Sequence, residues 1–224
     1  MYKKENFRNL DKKYNSHLYT GLLGILMKYC HKKLELFKKK DSYDKILEIG
    51  AGSAPHIDYL SHSYNEYHIA EVSDYASEVF EGNSNNKIKF TKYDGKKLPY
   101  ENDYFDRIII SHCLEHILSP EEFIIEMMSK LKKGGVLSIA LPTDPGIAWR
   151  LGRMFIRLFS IKKTYNISGE EYEYINATEH VNSIFNLLSI IRYHYKGSID
   201  EKFYPFKIKS PDLNLFYNVQ IYKN

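Results

Sequence analysis

The amino-acid sequence predicts an α/β fold in which helices cover both faces of a largely parallel sheet. Two observations lead to this fold class. Short apolar segments alternate with helical segments between residues 45 and 142, and the segments at 198–209 and 215–222 follow each other with no helix between them. Strands connected through helices lie parallel, whereas strands connected by a loop pair antiparallel. We therefore expect five parallel strands followed by an antiparallel hairpin.

Each element of this fold has its own signal in the sequence. Apolar runs predict the five parallel strands at 45–50, 67–72, 87–93, 105–111 and 136–141. Helical segments between them are predicted at 55–60, 74–80 and 119–133. The last of these has a strong start, because Ser119 can cap it and Pro120 suits its first turn. After the fifth strand, residues 143–178 predict an irregular insert with a basic helical stretch, and residues 179–195 predict a further helix.

Composition limits the class of protein. Of the 224 residues, 43% are hydrophobic and 27% are charged, which is typical of a globular chain. The two cysteines, Cys30 and Cys113, are too few for a disulfide framework or a zinc site, so we expect reduced thiols in a cytoplasmic protein. The longest apolar run, residues 18–27, is about half the length of a membrane span and is not followed by a cleavage site. We therefore predict neither a transmembrane segment nor a signal peptide.

The net charge of +4 is unevenly distributed. Residues 1–40 carry a net charge of +8, and the segment 149–163 carries five positive charges and no acid. Apolar positions at helical spacing between residues 15 and 40 predict one or two amphipathic helices that pack on the body. We divide the chain into a basic helical cap segment, 1–40, and a main domain, 41–224, whose insert at about 143–178 adds to the cap.

The turn after the first strand has the residues of a ligand-binding loop. Glu48 stands before Gly50-Ala51-Gly52, and Pro55 follows. Such glycines let backbone N–H groups approach a ligand closely at the positive end of the next helix. Dinucleotide-binding proteins share this loop, but a proline here takes the place of their third glycine. The second strand ends about twenty residues later in Glu71, an acid that suits a ribose diol.

Further motifs follow in order. Tyr93-Asp94-Gly95-Lys96-Lys97-Leu98-Pro99-Tyr100 ends the third strand, Phe105-Asp106-Arg107-Ile108 opens the fourth, Leu114-Glu115-His116 follows it, and Leu131-Lys132-Lys133-Gly134-Gly135 precedes the fifth. Together with the glycine loop, these motifs resemble those of the class I S-adenosylmethionine-dependent methyltransferases, in particular the ubiquinone/menaquinone-biosynthesis-like (methyltransferase type 11) group. The departures are mild, namely Ala54 for a third small residue of the loop, Tyr100 for Phe and Lys133 for Pro.

The resemblance implies a fold and a cofactor site. The fold is a Rossmann-like sheet of seven strands in the order 3-2-1-4-5-7-6 with the last strand antiparallel, and the cofactor is S-adenosylmethionine. Glu48 would brace the glycine loop or accept from the cofactor's amino group, and Glu71 would accept from both ribose hydroxyls. Asp94 would accept from the adenine amino group, and Ser111 would offer its carbonyl to the ammonium. The whole predicted cofactor-binding set is Glu48, Gly50, Ala51, Gly52, Glu71, Val72, Asp94, Gly95, Ser111, His112 and His116.

Three residues are candidates for catalysis at the acceptor side. His112 follows the fourth strand, where it could take a proton from an acceptor hydroxyl. His180 is expected to open the helix after the insert, and Asp144 leaves the fifth strand at the same mouth. A capping or hydrogen-bonded structural role is the alternative for both. For His116, which belongs to the Leu-Glu-His motif found with many acceptors, a packing role is the main expectation.

The expected reaction is O-methylation of a sugar, glycan or small metabolite, with N-methylation of a small molecule or lipid head group as the alternative. A NAD-dependent oxidoreductase and a non-catalytic binding subunit are the alternatives from other classes. In the insert, Arg150, Arg153 and Arg157 recur at helical spacing. This pattern indicates a lid with solvated arginines, an anionic acceptor or peripheral membrane contact. We expect no nucleic-acid partner and no metal, and the sequence predicts no oligomeric state.

Overall fold

The computed structural model describes residues 20–37, 40–52, 56–72, 85–159 and 167–224. Its centre is a seven-stranded sheet in the order β3-β2-β1-β4-β5-β7-β6, as predicted. The strands are β1 (Ser42–Ile49), β2 (Ser63–Glu71), β3 (Ile88–Lys92), β4 (Phe105–Ser111), β5 (Leu131–Pro142), β6 (Ile199–Tyr204) and β7 (Phe216–Tyr222). The helices are α1 (Gly21–Leu34), α2 (Pro120–Lys130), α3 (Ile147–Phe159), α4 (Gly169–Glu179) and α5 (Ile184–Tyr195).

The pairing of the strands confirms the predicted mixed sheet. β1 pairs in parallel with β2 and β4, β2 pairs in parallel with β3, and β4 pairs in parallel with β5. β7 lies antiparallel to both of its neighbours, β5 and β6. The carboxyl ends of the parallel strands therefore meet at one edge of the sheet, where ligands bind in folds of this kind.

Helices bury both faces of the sheet. In β4, Ile108 and Ile110 belong to one core with α2 and α5, whereas Ile109 belongs to the other core with α1. This division follows from the pleat, because successive side chains of a strand point to opposite faces. Cys30 and Leu34 of α1 are fully buried against the sheet. α1, from the predicted cap segment, thus forms one of the layers that cover the sheet.

Several helices and strands of the structure differ in length or position from those that the sequence predicts. The expected helix at 55–60 is a short 3-10 turn, His56–Tyr59, and the strand predicted at 198–209 ends at Tyr204, before Pro205. The predicted helix at 179–195 is wrong in its first part, because α5 begins only after Ser183, whose side chain accepts from the Asn186 N–H group. The helix predicted at 74–80 and all of residues 1–19 and 160–166 lie outside the described residues.

The insert at 143–178 is more regular than expected. It contains α3 and α4, and α4 begins with a capping box in which Ser168 and Glu171 bond to each other's backbone N–H groups.

Both Cys30 and Cys113 are free thiols. Within the described part of the chain, no helix combines the length and the apolar character required to cross a membrane.

Candidate active site

A cavity of about 1000 Å³ opens at the carboxyl ends of the parallel strands. Its walls come from the turns after β1, β2, β3 and β4, and from α1, α2, α3 and α4. All the residues predicted to bind the cofactor line it, namely Glu48, Gly50, Ala51, Gly52, Glu71, Val72, Asp94, Gly95, Ser111, His112 and His116. His180 lines it as well, whereas Asp144 lies behind His180. The fold therefore brings residues from distant segments into one space.

The glycine turn after β1 requires glycine for two different reasons. Gly50 and Gly52 both have positive φ angles, +70° and +54°, which other residues rarely adopt. A Cβ atom at Gly50 would lie 2.6 Å from the Sγ atom of Cys113, so the turn also packs tightly there. A Cβ atom at Gly52 would meet nothing within 4 Å. Gly50 is therefore required for packing, and Gly52 borders open space.

Glu48 braces this turn from below. Its Oε1 atom accepts from the backbone N–H of His56 at 2.6 Å, and its Oε2 atom accepts from the hydroxyl of Tyr67 at 2.6 Å. The side chain is buried, and this burial raises the pKa of Glu48 to about 7. The two carboxylate oxygens thus connect the end of β1 to the segment after the turn and to β2. The role of Glu48 toward the cofactor stays a prediction.

Two acids lie on the wall nearest β2 and β3. Glu71 accepts from the N–H of Gly52 at 3.0 Å through Oε2 and from the N–H of Val72 at 2.7 Å through Oε1. Asp94 is exposed at the rim, and the N–H of Lys96, which donates to its Oδ1 atom at 3.0 Å, holds the pKa of Asp94 below its usual range. This wall is rich in hydrogen-bond acceptors, which suits the hydroxyl and amino groups of a nucleoside.

The opposite wall carries a histidine–aspartate pair. Nδ1 of His180 lies 2.7 Å from Oδ2 of Asp144, and His180 is the residue that ends α4 rather than one that opens a helix. Arg153 holds Asp144 from the other side at 3.4 Å and also pairs with Glu173 at 2.6 Å. Burial is the largest influence on the pKa of His180 and lowers it, but the hydrogen bond to Asp144 and the negative charges of Glu115 and Asp144 together outweigh burial and leave the pKa raised. This arrangement fixes the ring and makes it a stronger base.

His112 and His116 stand beside this pair. His112 has a positive φ of 52°, and its Nε2 atom is buried with no hydrogen-bond partner among the described residues. Burial lowers the pKa of His112 to about 4, so the ring is neutral at physiological pH. His116 bonds through Nδ1 to the carbonyl oxygen of Glu179 at 2.7 Å, and its ring centroid lies 5.2 Å from that of His180. Of the predicted candidates for a base, His180 is the one that combines an oriented ring with a position on the cavity wall.

Comparison with known proteins identifies the family. A family model described as "Methyltransferase domain" matches residues 25–193, which is most of the chain. The chain belongs to this methyltransferase family. The match confirms the resemblance drawn from the motifs and includes the glycine turn, Glu71 and His180.

Curated relatives of the chain are named methyltransferases, and a solved methyltransferase shares its fold. The demethylmenaquinone methyltransferase of Corynebacterium urealyticum is 28% identical over 136 residues, which cover 59% of this chain and 58% of that protein. The protein of the same name from Clavibacter sepedonicus is 27% identical over 139 residues, covering 59% and 57%. The chain thus spans less than three fifths of the length of these curated relatives. The plantazolicin methyltransferase BpumL, solved with a monoazolic desmethylPZN analog and SAH, has 18% identity and a TM-score of 0.65 over 99% of this chain and 91% of that one.

A buried polar network lies behind the site and was not predicted. His31, on the cavity wall, has its Nδ1 atom 2.8 Å from Nδ1 of His56, whose Nε2 atom lies 3.0 Å from Oε1 of Glu35. The same oxygen lies 2.8 Å from the guanidinium of Arg107, which is fully buried. The network fastens α1 to the segment after the glycine turn. No spacing in the sequence indicates it, since its members come from α1 and the residue that follows it, from the 3-10 turn and from β4.

Glu115, His116 and His180 are the described residues that come nearest to a metal-ligand set. One ligand atom of each lies within 4.8 Å of the others. The ligand atoms of a tetrahedral zinc site lie about 3.3 Å apart, given bonds of about 2 Å. The Nε2 atom of His116 is 3.9 Å from Oε1 of Glu115, so these two side chains lie further apart than the ligands of a zinc ion would. The expectation of no metal stays a prediction.

Proposed function

We propose that this chain transfers a methyl group from S-adenosylmethionine to an oxygen atom of a small acceptor bound in the cavity. One observation carries the proposal, namely that a single cavity has two acidic acceptors, Glu71 and Asp94, in one part of its wall and an oriented imidazole, His180, in another part. The first part suits a nucleoside, and the second suits a proton-bearing nucleophile. Methyl transfer to a proton-bearing acceptor releases a proton, so the reaction needs a base as well as a site for the cofactor.

The residues present fit the proposed cofactor. The open space beside Gly52 leaves room for a ligand close to the backbone, where a side chain would fill it. Glu71 would bind the ribose diol and Asp94 the adenine amino group, and the carbonyl of Ser111 would take the ammonium. S-adenosylmethionine supplies a methyl group already activated on a sulfonium. The main task of the protein is therefore to align the acceptor with that group and to exclude water.

His180 and Asp144 would handle the acceptor's proton. With Nδ1 of His180 donating to Asp144, Nε2 is the nitrogen left to accept a proton. The carboxylate stabilises the imidazolium that results, as the raised pKa of His180 indicates. Arg153 keeps Asp144 in place from α3. Asp144 and Arg153 would thus act as positioning residues, and His180 as the proton acceptor.

A second acceptor chemistry is favoured by the apolar part of the cavity. Its apolar lining includes Leu26, Met27, Ile117, Phe123, Trp149 and Ile156. Such a wall suits a flat ring, and two relatives are named demethylmenaquinone methyltransferases. On a hydroxylated ring, removal of the hydroxyl proton by His180 would activate the neighbouring carbon, so C-methylation is the second candidate. The sugar or glycan acceptor and N-methylation stay predictions with less support from this wall.

The experiment uses the purified chain with methyl-labelled S-adenosylmethionine and a panel of hydroxylated rings, sugars and amines. Label that enters an acceptor as a methyl ether supports O-methylation, and a methyl bonded to ring carbon supports the second candidate. Glu71→Ala should abolish transfer, whereas Glu101→Ala, at an exposed acid outside the cavity, should leave it unchanged. Binding of S-adenosylmethionine without transfer to any acceptor would support a binding subunit. Tight binding of NAD alone would overturn the proposal.

A further inference from the structure

The outer face of α3 is apolar and exposed. Ile147, Leu151, Met154 and Leu158 are 57%, 56%, 54% and 66% exposed. Their spacing of four, three and four residues places them on one side of the helix. The opposite side of α3, including Trp149 and Ile156, lines the cavity. α3 is therefore apolar on two sides, and only the inner side is accounted for by the active site.

A loop next to α3 extends this apolar surface. Within the loop at 205–213, Phe206, Ile208 and Leu213 are 66%, 49% and 48% exposed. The loop contacts the start of α3, where the N–H of Ile147 donates to Oδ1 of Asp212 at 3.3 Å. These two elements together form what we call the docking surface, with Ile147, Leu151, Met154, Leu158, Phe206, Ile208 and Leu213 as its apolar residues.

The loop has a defined conformation. Asn214 is fully buried, and its side chain accepts from the N–H of Phe206 at 2.9 Å and donates to the carbonyl oxygens of Ile208 and Ser210 at 2.8 and 3.0 Å. One amide group thus holds the backbone on both sides of the loop tip. Phe206 and Ile208 are exposed on a braced turn, not on a loosely attached one.

The charges around these apolar residues are mostly positive. Arg150 and Arg157 are exposed on α3, and Lys207 and Lys209 alternate with Phe206 and Ile208 in the loop. Glu173 offsets Arg157 at 3.8 Å, and Asp212 is engaged at the start of α3. Apolar side chains interleaved with exposed cations are typical of elements that lie in the interface of an anionic bilayer. A second copy of the chain would be a poor occupant, because a two-fold contact would set these cations against one another.

We infer that the docking surface binds the surface of a membrane that contains anionic lipids. Because the inner side of α3 lines the cavity, the chain would then hold its cavity beside the head groups. The acceptor would accordingly be an amphiphile resident in that membrane. This last step rests on the proposed function, whereas the binding of the chain to lipid does not.

The test is flotation of the full chain with two kinds of vesicle, phosphatidylcholine alone and phosphatidylcholine with about one third phosphatidylglycerol. We expect flotation with the anionic vesicles, and a loss of binding in high salt. Lys207→Glu combined with Lys209→Glu should weaken binding on the order of fivefold or more for each lysine. Phe206→Ser combined with Ile208→Ser should weaken it further. The matched controls are Lys133→Glu with Lys196→Glu and Ile125→Ser, exposed positions outside the docking surface, which should bind as the unaltered chain does.

Two results would overturn the inference. One is equal flotation with both kinds of vesicle, or none with either. The other is self-association of the chain, measured by light scattering, that the docking-surface variants abolish while lipid binding is unchanged. Because flotation needs no methyl transfer, a failure here leaves the proposed function standing. If instead the variants lose flotation but still methylate a water-soluble acceptor at the normal rate, lipid docking is supported separately from catalysis.

Discussion

Nδ1 of His180 lies 2.7 Å from Oδ2 of Asp144, although 36 positions separate the two residues in the chain. Asp144 comes just after β5, and His180 ends α4, so the whole insert lies between them. Arg153, in that insert, contacts the same carboxylate oxygen. The insert therefore does more than cover the cavity, because it positions His180, the proposed base, on the cavity wall.

Asp144→Asn should slow methyl transfer about 100-fold, since His180 would lose the carboxylate that orients it and stabilises its charged form. Catalysis needs neutral His180, so kcat/KM falls when the pH drops below the pKa of this histidine. The hydrogen bond to Asp144 raises that pKa, and without the carboxylate the acid limb of the profile should therefore move to lower pH. Profiles of kcat/KM against pH for both proteins would check this.

Glu173→Gln is the matched control for Asp144→Asn. Glu173 also contacts Arg153, but it does not line the main cavity and leaves the His180–Asp144 pair intact. We expect a small effect on rate and an unmoved acid limb. A profile for Asp144→Asn with the same acid limb as the unaltered chain would show that His180 is not the proton acceptor.

Glu48 should make the folded state less stable as the pH rises. Its pKa is raised from 4.5 to about 7 in the folded state, so between these values the folded chain binds more protons than the unfolded chain. Stability therefore declines across this window, by about 3 kcal/mol in all. Glu48→Gln cannot ionise and should lack this decline. Urea unfolding at pH 5 and pH 8 would measure it, with Glu101→Gln as an exposed control, and an equal decline in Glu48→Gln would contradict the assignment.

The parts of the fold and site that the sequence predicts are those set by local signals. The glycine turn and the acid that ends β2 are each recognisable from a few neighbouring residues. The predicted order of the strands then places both at the same edge of the sheet. Every residue of the predicted cofactor-binding set lines the cavity. Their individual roles toward the cofactor stay predictions.

The remaining features depend on contacts between distant segments. The capped start of α5 at Ser183 was missed because the apolar pattern continues across 179–195. The contact of His180 with Asp144 joins positions 36 apart in the chain, which no local pattern indicates. His31 and Glu35 occupied ordinary positions of an amphipathic helix in the sequence. Their role in the buried network depends on Arg107 of β4, which lies 2.8 Å from Glu35 in the folded chain.

The two glycines of the turn should respond differently to alanine. Both have positive φ angles, so each substitution should cost about 1 kcal/mol or more through backbone strain. At Gly50 the added Cβ would also lie 2.6 Å from Sγ of Cys113, so Gly50→Ala should destabilise the fold more than Gly52→Ala. Gly52→Ala should instead weaken binding of S-adenosylmethionine. Thermal unfolding and calorimetric titration separate the two effects, and equal losses of stability would contradict the packing argument.

Glu35→Gln should strongly destabilise the chain. Arg107 and Glu35 are 2.8 Å apart and both are buried, so removing the carboxylate leaves the guanidinium without its opposite charge, at a cost of about 3 kcal/mol or more. Glu66→Gln is the contrasting change, because its pair with Lys89 at 2.9 Å is partly exposed and contributes about 1 kcal/mol at most, and the amide oxygen of Gln can still accept from His68. Urea unfolding at neutral pH would compare the two variants. If Glu35→Gln proved as mild as Glu66→Gln, the buried network could not be what fastens α1 behind the cavity.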